Sequence, residues 1–311
     1  MNYFSFPPTP IHPLVEKLNN NKYFIKRDDL LPISFGGNKV RKAILFFEDF
    51  RKKNADCIVT YGASSSNHCR VIANLSASIK IPCYIITPSE LIFPTNNKKM
   101  IELFDAKIIE SPVSKVSETI NNTLENLRKK GLKPYFIKGG GHGILGTQAY
   151  INAYKEILDF EQTNNIYFDY IFHTSGTGTT QAGLICGKII NKDNRKIVGI
   201  SNARKNPYGK KVVLESVNEY LESNGFKGID INEILFIDDY VLNGYGSYNA
   251  EIIQTIKEVL IKDGIPLDIT YTGKAFWGMK RYILKNEIRN KNILFIHTGG
   301  MPLFFDKLEE L

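Results

Sequence analysis

Lys39 is a candidate for covalent chemistry because two glycines precede it near the start of a predicted helix. It follows the sequence Gly-Gly-Asn, after a strand-like run at 22–29 and before a helical pattern at 40–49. Glycines let the backbone approach a ligand closely, and a lysine amine placed there can form a Schiff base with an aldehyde cofactor. Because the chain contains 40 lysines and arginines, this motif alone is weak evidence.

A second candidate site is the turn at 174–183, with the sequence Thr-Ser-Gly-Thr-Gly-Thr-Thr-Gln-Ala-Gly. A strand-like run at 168–172 precedes it and a helical pattern at 181–190 follows it. Backbone N–H groups and the dipole of such a helix start favour an anion. The turn lacks the features of a P-loop and the full dinucleotide spacing, so it suits a single phosphate group. The alternative is an ordinary glycine-rich turn.

A third polar turn lies at 61–70, between a strand-like run at 56–60 and a helix predicted from 71 to 79. Ligands of open α/β sheets bind at the carboxyl ends of the strands, where this turn is expected. Ser66, Asn67 and His68 could offer hydroxyl, amide and backbone donors to a carboxylate. The alternative is a cluster of residues that caps the following helix.

The composition indicates a globular protein without a nucleic-acid or membrane partner. Its 311 residues, 43% of them hydrophobic, can bury one or two cores. The formal net charge is +8, but basic residues are interleaved with acidic ones, so we expect no nucleic-acid partner. No apolar run is long enough to span a membrane, and the first residues do not resemble a signal peptide.

The four cysteines and five histidines show no metal-binding spacing, so we expect no metal site. Three of the cysteines fall in strand or helix patterns, and all four are predicted to be reduced core thiols. Reduced cysteines are typical of a cytosolic protein, which predicts a cytoplasmic location.

Strand-like and helix-like segments alternate along the chain, which predicts an α/β fold of open, twisted parallel sheets with helices on both faces. A helix with one apolar face is predicted at 114–130. We expect a small inserted α/β domain at 43–146 and a large domain formed by 1–42 and 147–311, with a cofactor in the cleft. Strand-like runs lie at 81–87, 107–110, 134–137, 196–200, 233–237 and 292–296.

Six motifs in order resemble one known family. The chain is similar to the 1-aminocyclopropane-1-carboxylate deaminase / D-cysteine desulfhydrase family, pyridoxal-phosphate enzymes of the tryptophan-synthase-β fold (fold type II). The resemblance runs from about residue 10 to about residue 303 and implies pyridoxal 5'-phosphate as cofactor. The motifs are Gly-Gly-Asn-Lys39, Ser66-Asn-His-x-Arg, Gly176-Thr-Gly-Thr-Thr-Gln-Ala-Gly, Gly244-Tyr-Gly, Asp268-Ile-Thr-Tyr-Thr-Gly-Lys-Ala and His297-Thr-Gly-Gly.

The resemblance implies a role for each motif. Lys39 would hold the cofactor through a Schiff base, and Asn67 would face the cofactor's 3-oxygen. Ser66, with the backbone N–H groups of Asn67 and His68, would receive the substrate carboxylate and would shuttle a proton with Lys39. The phosphate would be bound by Thr177, Gly178, Thr179 and Thr180, with Lys42 nearby.

Two tyrosines are further candidates for catalysis. The resemblance places Tyr245 and Tyr271 in the active site, where a phenol could relay a proton or hold a leaving thiol. Tyr245 lies between two glycines, and Tyr271 precedes a helix predicted from about 274. The alternative is aromatic packing, since the chain has 16 tyrosines.

Thr272 and Thr298 favour the desulfhydrase branch of the family. The resemblance implies a glutamate and a leucine at these positions in deaminases, and threonines in desulfhydrases. A carboxylate beside the pyridine nitrogen would keep it protonated, which suits ring opening. A hydroxyl would leave the nitrogen closer to neutral, which suffices to remove an α-proton and expel a β-thiolate.

The leading hypothesis is therefore a lyase that converts D-cysteine, or a related small amino acid, to pyruvate, ammonia and sulfide. The alternatives are a 1-aminocyclopropane-1-carboxylate deaminase, a β-replacement synthase on the same fold, and a non-catalytic anion-binding module. The family's glutamine before Ser66 is absent here, as is its Asp-Pro-Val-Tyr sequence before Thr272, which leaves the substrate open. The resemblance also implies a homodimer.

Overall fold

A computed structural model describes residues 6–311 and divides them into two compact units. The first unit comprises the chain up to Asn38 together with Thr147–Leu311, and the second comprises Lys39–Gly146. The first boundary thus falls before Lys39, so that Lys39 and Lys42 both belong to the second unit.

Ten strands and ten α-helices alternate within the described residues. The strands are β1 (Ile11–Pro13), β2 (Lys22–Lys26), β3 (Cys57–Tyr61), β4 (Cys83–Pro88), β5 (Lys107–Ser111), β6 (Pro134–Ile137), β7 (Tyr170–Ser175), β8 (Lys196–Ser201), β9 (Leu235–Ile237) and β10 (Asn292–Ile296). The helices are α1 (Asn38–Lys52), α2 (Asn67–Ser78), α3 (Asn96–Leu103), α4 (Val116–Lys129), α5 (Ile144–Asn164), α6 (Thr179–Ile190), α7 (Tyr208–Ser223), α8 (Ala250–Asp263), α9 (Thr272–Lys285) and α10 (Met301–Phe305).

The first unit is built on a six-stranded sheet in the order β1-β2-β10-β7-β8-β9. Its strands pair in parallel, except that β1 runs antiparallel to β2. Alternate residues of β10 lie in two separate cores: Ile293 and Phe295 in one, Leu294 and Ile296 in the other. Because side chains alternate across a strand, both faces of this sheet are covered.

The second unit has a four-stranded, fully parallel sheet in the order β5-β4-β3-β6. Helix α4 packs on it through the predicted apolar face: Ile120 and Leu127 are buried in a core with Val59 and Ile86 of the sheet. Beyond α4 the chain turns at Gly131, whose φ is +81°, a conformation that glycine adopts without strain.

The predicted α/β fold with parallel sheets is confirmed. Its four cysteines are free and buried. Within residues 6–311, no helix combines the length and apolarity needed to cross a bilayer, and no group of three or more histidine, cysteine or acidic side chains is arranged to hold a metal ion.

Candidate active site

The backbone before Lys39 is held so closely that only glycine fits. Gly36 and Gly37 have φ values of +64° and +98°. A Cβ on Gly36 would lie 2.1 Å from the carbonyl oxygen of Asp29, and one on Gly37 would lie 2.7 Å from that of Thr298. The N–H of Asn38 donates to the same Thr298 oxygen over 3.0 Å. Thr298 therefore contributes its backbone to fixing the start of α1.

Lys39 presents an amine with a lowered pKa. Its Nζ donates to the carbonyl oxygen of Gly140 over 3.0 Å, and burial lowers its pKa to about 8. A larger fraction of the amine is then neutral near pH 7 than for a solvated lysine, as a nucleophilic lysine requires. No sequence motif assigns a role to Gly140, although it lies in the glycine-rich run 139–143.

Lys42, one helical turn further along α1, is almost wholly buried. Its aliphatic stem packs against Gly141, where a Cβ would approach Lys42 Cδ to 3.2 Å. Burial, and then the charge of Lys39, hold the pKa of Lys42 well below its usual range. The charged form of Lys42 is therefore disfavoured by burial first and by the charge of Lys39 second.

Ser66 caps helix α2, as the structural alternative for this turn proposed. Its Oγ accepts the N–H of His68 over 3.2 Å and that of Cys69 over 3.3 Å. The helix consequently begins at Asn67, four residues before the predicted start. The N–H of His68, expected to face a carboxylate, already donates to Ser66.

The His68 ring is turned to the sheet of the second unit. Thr60 donates its hydroxyl proton to the carbonyl oxygen of Ile137 over 2.8 Å, and His68 Nε2 lies 2.8 Å from the same hydroxyl oxygen. His68 Nε2 must therefore carry the proton and donate. Burial, aided by the charges of Lys39 and Lys42, holds the pKa of His68 well below its usual range, so the ring stays neutral.

The side-chain amide of Asn67 is oriented by two buried residues that sequence reasoning did not assign. Its Oδ1 accepts from Arg70 Nη1 over 2.7 Å and from Asn97 Nδ2 over 3.0 Å. Asn97 also accepts from Arg70 over 2.8 Å and donates to the Ser65 carbonyl over 2.7 Å. With its oxygen engaged, Asn67 has its NH₂ group to offer a ligand.

In the first unit, the glycine-threonine turn leads directly into helix α6, the arrangement that an anion-binding helix start requires. The helix begins at Thr179 after Gly178, whose φ is +96°, and its first turn contains no acidic residue. Thr180 accepts a hydrogen bond from Asn38 Nδ2 over 3.1 Å. The residue before Lys39 is thus tied to the turn expected to bind phosphate.

Thr272 donates its hydroxyl proton to a buried carboxylate. Its Oγ1 donates to Asp268 Oδ1 over 2.8 Å and accepts the N–H of Asp268 over 2.9 Å. Asp268 also accepts the N–H groups of Tyr271 and Thr272 over 2.8 and 3.0 Å. Burial raises the pKa of Asp268, while these hydrogen bonds oppose the rise. Helix α9 therefore begins at Thr272, two residues before the predicted start.

The His-Thr-Gly-Gly turn encloses this carboxylate. A Cβ on Gly300 would lie 2.4 Å from Asp268 Oδ1, so only glycine fits there. The N–H of Gly299 donates to His297 Nδ1 over 3.2 Å, and His297 Nε2 lies 2.8 Å from the Pro266 carbonyl oxygen. The His297 proton therefore resides on Nε2, and the ring ties the turn to the segment before Asp268.

The two candidate tyrosines contact each other. Their hydroxyl oxygens lie 2.7 Å apart and their rings meet edge to face with centroids 5.9 Å apart. Tyr245 is 43% exposed, and the backbone carbonyl of Tyr271 accepts from Thr174 Oγ1 over 3.1 Å. The two hydroxyl groups are thus hydrogen-bonded to each other, with Tyr245 exposed and Tyr271 half-buried, and their catalytic role stays a prediction.

These residues fit pyridoxal phosphate in their chemistry. Lys39 supplies an amine with a lowered pKa, Asn67 an oriented amide donor, and the start of α6 a set of anion-binding N–H groups. The Gly178 backbone leaves little room for any side chain, because a Cβ there would meet Val212 at 3.2 Å.

Comparisons with known proteins identify the family of the chain. The family described as pyridoxal-phosphate dependent enzyme matches residues 4–299. A D-cysteine desulfhydrase of Serratia proteamaculans is 30% identical over 91% of this chain and 87% of the relative. A Thermotoga maritima protein, provisionally named 1-aminocyclopropane-1-carboxylate deaminase, is 36% identical over 96% and 95%. A solved structure described as an ACC deaminase homologue has a TM-score of 0.89, 29% identity and coverage of 99% and 93%.

The chain belongs to the family of pyridoxal-phosphate dependent enzymes, within the group of lyases that its desulfhydrase and deaminase relatives represent. The predicted family, fold type and cofactor are confirmed. The alternative of a non-catalytic anion-binding module is wrong, since the family consists of enzymes.

Proposed function

We propose that the protein removes the α-proton of a small amino acid and expels its β-substituent, with D-cysteine as the nearest substrate. The observation that carries this proposal is the environment of Thr272. A hydroxyl stands where the resemblance implies a glutamate in deaminases, and its one proton is donated to Asp268 over 2.8 Å. Thr272 can therefore offer only a lone pair to a ring nitrogen.

This arrangement supports elimination rather than ring opening. A neutral oxygen holds a proton on a pyridine nitrogen far less firmly than a carboxylate would. The carboxylate of Asp268 is engaged within the protein, because Oδ1 accepts the N–H and Oγ1–H of Thr272 and Oδ2 accepts the N–H of Tyr271. We therefore do not assign it the role of that glutamate. A thiolate is a good leaving group, so its expulsion demands less electron withdrawal than opening a carbon ring.

The chain's own groups would then divide the work. When bound, pyridoxal phosphate supplies the electron sink. Lys39, with its pKa lowered to about 8, would bind the cofactor and accept or return the α-proton. Ser66 would orient the substrate carboxylate. Tyr245 and Tyr271, whose hydroxyl oxygens lie 2.7 Å apart, would hold or protonate the departing sulfur.

Ring opening of 1-aminocyclopropane-1-carboxylate is the second candidate. It is supported by the relatives of Thermotoga maritima and Pyrococcus horikoshii that carry this name provisionally, at 36% and 34% identity. A β-replacement on an activated serine is the third, with the serine-rich turn Ser64-Ser65-Ser66 as its support.

A product panel with the purified protein distinguishes these candidates. D-cysteine, L-cysteine, β-chloro-D-alanine, 1-aminocyclopropane-1-carboxylate and O-acetylserine, the last with and without added sulfide, would be supplied separately. Pyruvate, sulfide, oxobutyrate and cysteine would be measured. We expect sulfide and pyruvate in equal amounts from D-cysteine, at the highest rate of the panel. Oxobutyrate formed at the higher rate would establish the deaminase, and product formation from O-acetylserine only when sulfide is added would establish the synthase.

A further inference from the structure

Lys274 places a buried ammonium among backbone carbonyls. It lies in the first turn of α9, and its side chain is inaccessible to solvent. Nζ donates to the carbonyl oxygens of Gly244 and Val241 over 3.0 and 3.2 Å. The Asn202 carbonyl and Ser247 Oγ lie at 3.5 Å.

This set of acceptors is unusual for a buried lysine. A buried charge generally requires a partner of opposite charge or several hydrogen bonds. Among residues 6–311, no carboxylate lies within ion-pair distance of Lys274, and the nearby Asp268 only partly offsets the burial that lowers the pKa of Lys274 to about 8. The ammonium is instead surrounded by carbonyl oxygens, as a potassium ion is in a protein site.

The carbonyls that Lys274 binds belong to the loop that carries Tyr245. Gly244 and Gly246 have φ values of +118° and +76°, and a Cβ on either would meet nothing within 4 Å. Packing therefore does not hold these two glycines in place. Lys274 lies in the first turn of α9, and Tyr271 directly precedes that helix. The bonds from Lys274 therefore link the loop of Tyr245 to the segment that carries Tyr271.

We propose that Lys274 is a positioning residue that fastens the loop 241–247 to the start of α9 and so sets Tyr245 against Tyr271. The ammonium acts as a built-in monovalent cation, so the loop needs no dissolved one. That the tyrosine pair acts on substrate rests on the proposed function; that Lys274 orders the loop does not.

Hydrogen–deuterium exchange of the holoenzyme tests the ordering directly, without any substrate. In Lys274→Ala we expect the amides of 241–247 to exchange at least about tenfold faster, the factor for one lost hydrogen bond to a charged group. Potassium or ammonium ions should restore protection in this variant, while lithium should not. Lys285→Ala removes an exposed lysine of the same helix and should exchange like the wild type in this loop.

Kinetics provide the second readout. We expect Lys274→Ala to lower kcat more than it raises KM, and potassium to reverse the loss. Lys274→Met retains the stem and removes only the ammonium, so it serves if the alanine variant does not fold. Wild-type exchange in the loop of both variants would overturn the proposal, as would a wild-type enzyme whose loop protection depends on potassium. Restored loop protection without any turnover would instead count against the proposed role of the tyrosines.

Discussion

Thr272 and Asp268 are joined by a reciprocal pair of hydrogen bonds: Oγ1 donates to the carboxylate over 2.8 Å and accepts the Asp268 N–H over 2.9 Å. Thr272 is the first residue of α9, and it also forms hydrogen bonds with a buried carboxylate. Thr272, the position at which the resemblance implies a difference between desulfhydrases and deaminases, therefore also stabilises the start of α9.

Thr272→Val should destabilise the protein by about 1–3 kcal/mol, because a buried N–H and a buried carboxylate each lose a partner. Thr272→Ser retains the hydroxyl and should remain close to the wild type. Urea unfolding of the cofactor-free protein measures the difference. A valine variant as stable as the wild type would show that the hydroxyl is bonded elsewhere.

Asn97→Ala should weaken cofactor binding through Asn67. Asn97 orients the Asn67 amide over 3.0 Å, so its loss should lower cofactor affinity about tenfold, as expected for one hydrogen bond to a charged group. A double-mutant cycle checks the route: Asn67→Ala/Asn97→Ala should bind no more weakly than Asn67→Ala alone. Additive losses would mean that Asn97 acts independently. Asn122→Ala, an exposed change in the same unit, is the control.

Thr180→Ala and Thr177→Ala should weaken cofactor affinity about tenfold to a hundredfold each, with little effect on turnover at saturating cofactor. Thr180→Ser keeps the acceptor for Asn38 Nδ2 and should bind nearly as well as the wild type. Titration of the cofactor-free protein, followed by absorbance, gives the affinities. Unchanged binding in both alanine variants would place the phosphate elsewhere.

Tyr271→Phe should lower turnover of D-cysteine at least about tenfold, the low end for a lost proton-transfer group. The absorbance spectrum of the bound cofactor should stay unchanged, because only one hydroxyl of the 2.7 Å pair is removed. Tyr208→Phe removes the hydroxyl of a tyrosine that is 58% exposed and serves as the control. Equal kcat values for the two variants would reduce Tyr271 to packing.

The sequence predicted the strands and polar turns well but placed the starts of several helices at polar turns too late. Strands β6 and β10 have the predicted bounds, because each is a short apolar run that ends at a polar residue. Helices α2, α6 and α9 begin two to four residues early, at Asn67, Thr179 and Thr272. The first turn of a helix at a ligand site is polar, so the apolar periodicity that predicts a helix is absent there.

The hydrogen-bond partners of the candidate residues were beyond prediction. Asn97 meets Asn67 from 30 residues away and Lys274 meets Gly244 from the same distance, and no local pattern encodes such contacts. Ser66 shows the reverse case: its turn is compatible in sequence with binding a carboxylate and with capping a helix, and in the structure Ser66 caps α2. Its expected role toward the substrate carboxylate stays a prediction.

Lys39 is the group on which the whole account depends, and its pKa alone does not distinguish it. Lys274 also has a pKa lowered to about 8, and burial holds the pKa of Lys42 well below its usual range. Geometry separates them: Lys274 lies among carbonyls and Lys42 is almost wholly buried, whereas Lys39 is partly exposed.

Borohydride reduction of the purified holoenzyme, followed by peptide mass spectrometry, tests this assignment most directly. We expect a phosphopyridoxyl group on Lys39, and we expect both this group and the visible absorbance band to be lost in a folded Lys39→Ala protein. A modification found on Lys42 or Lys274, or a Lys39→Ala protein that keeps the band after free cofactor is removed, would contradict it.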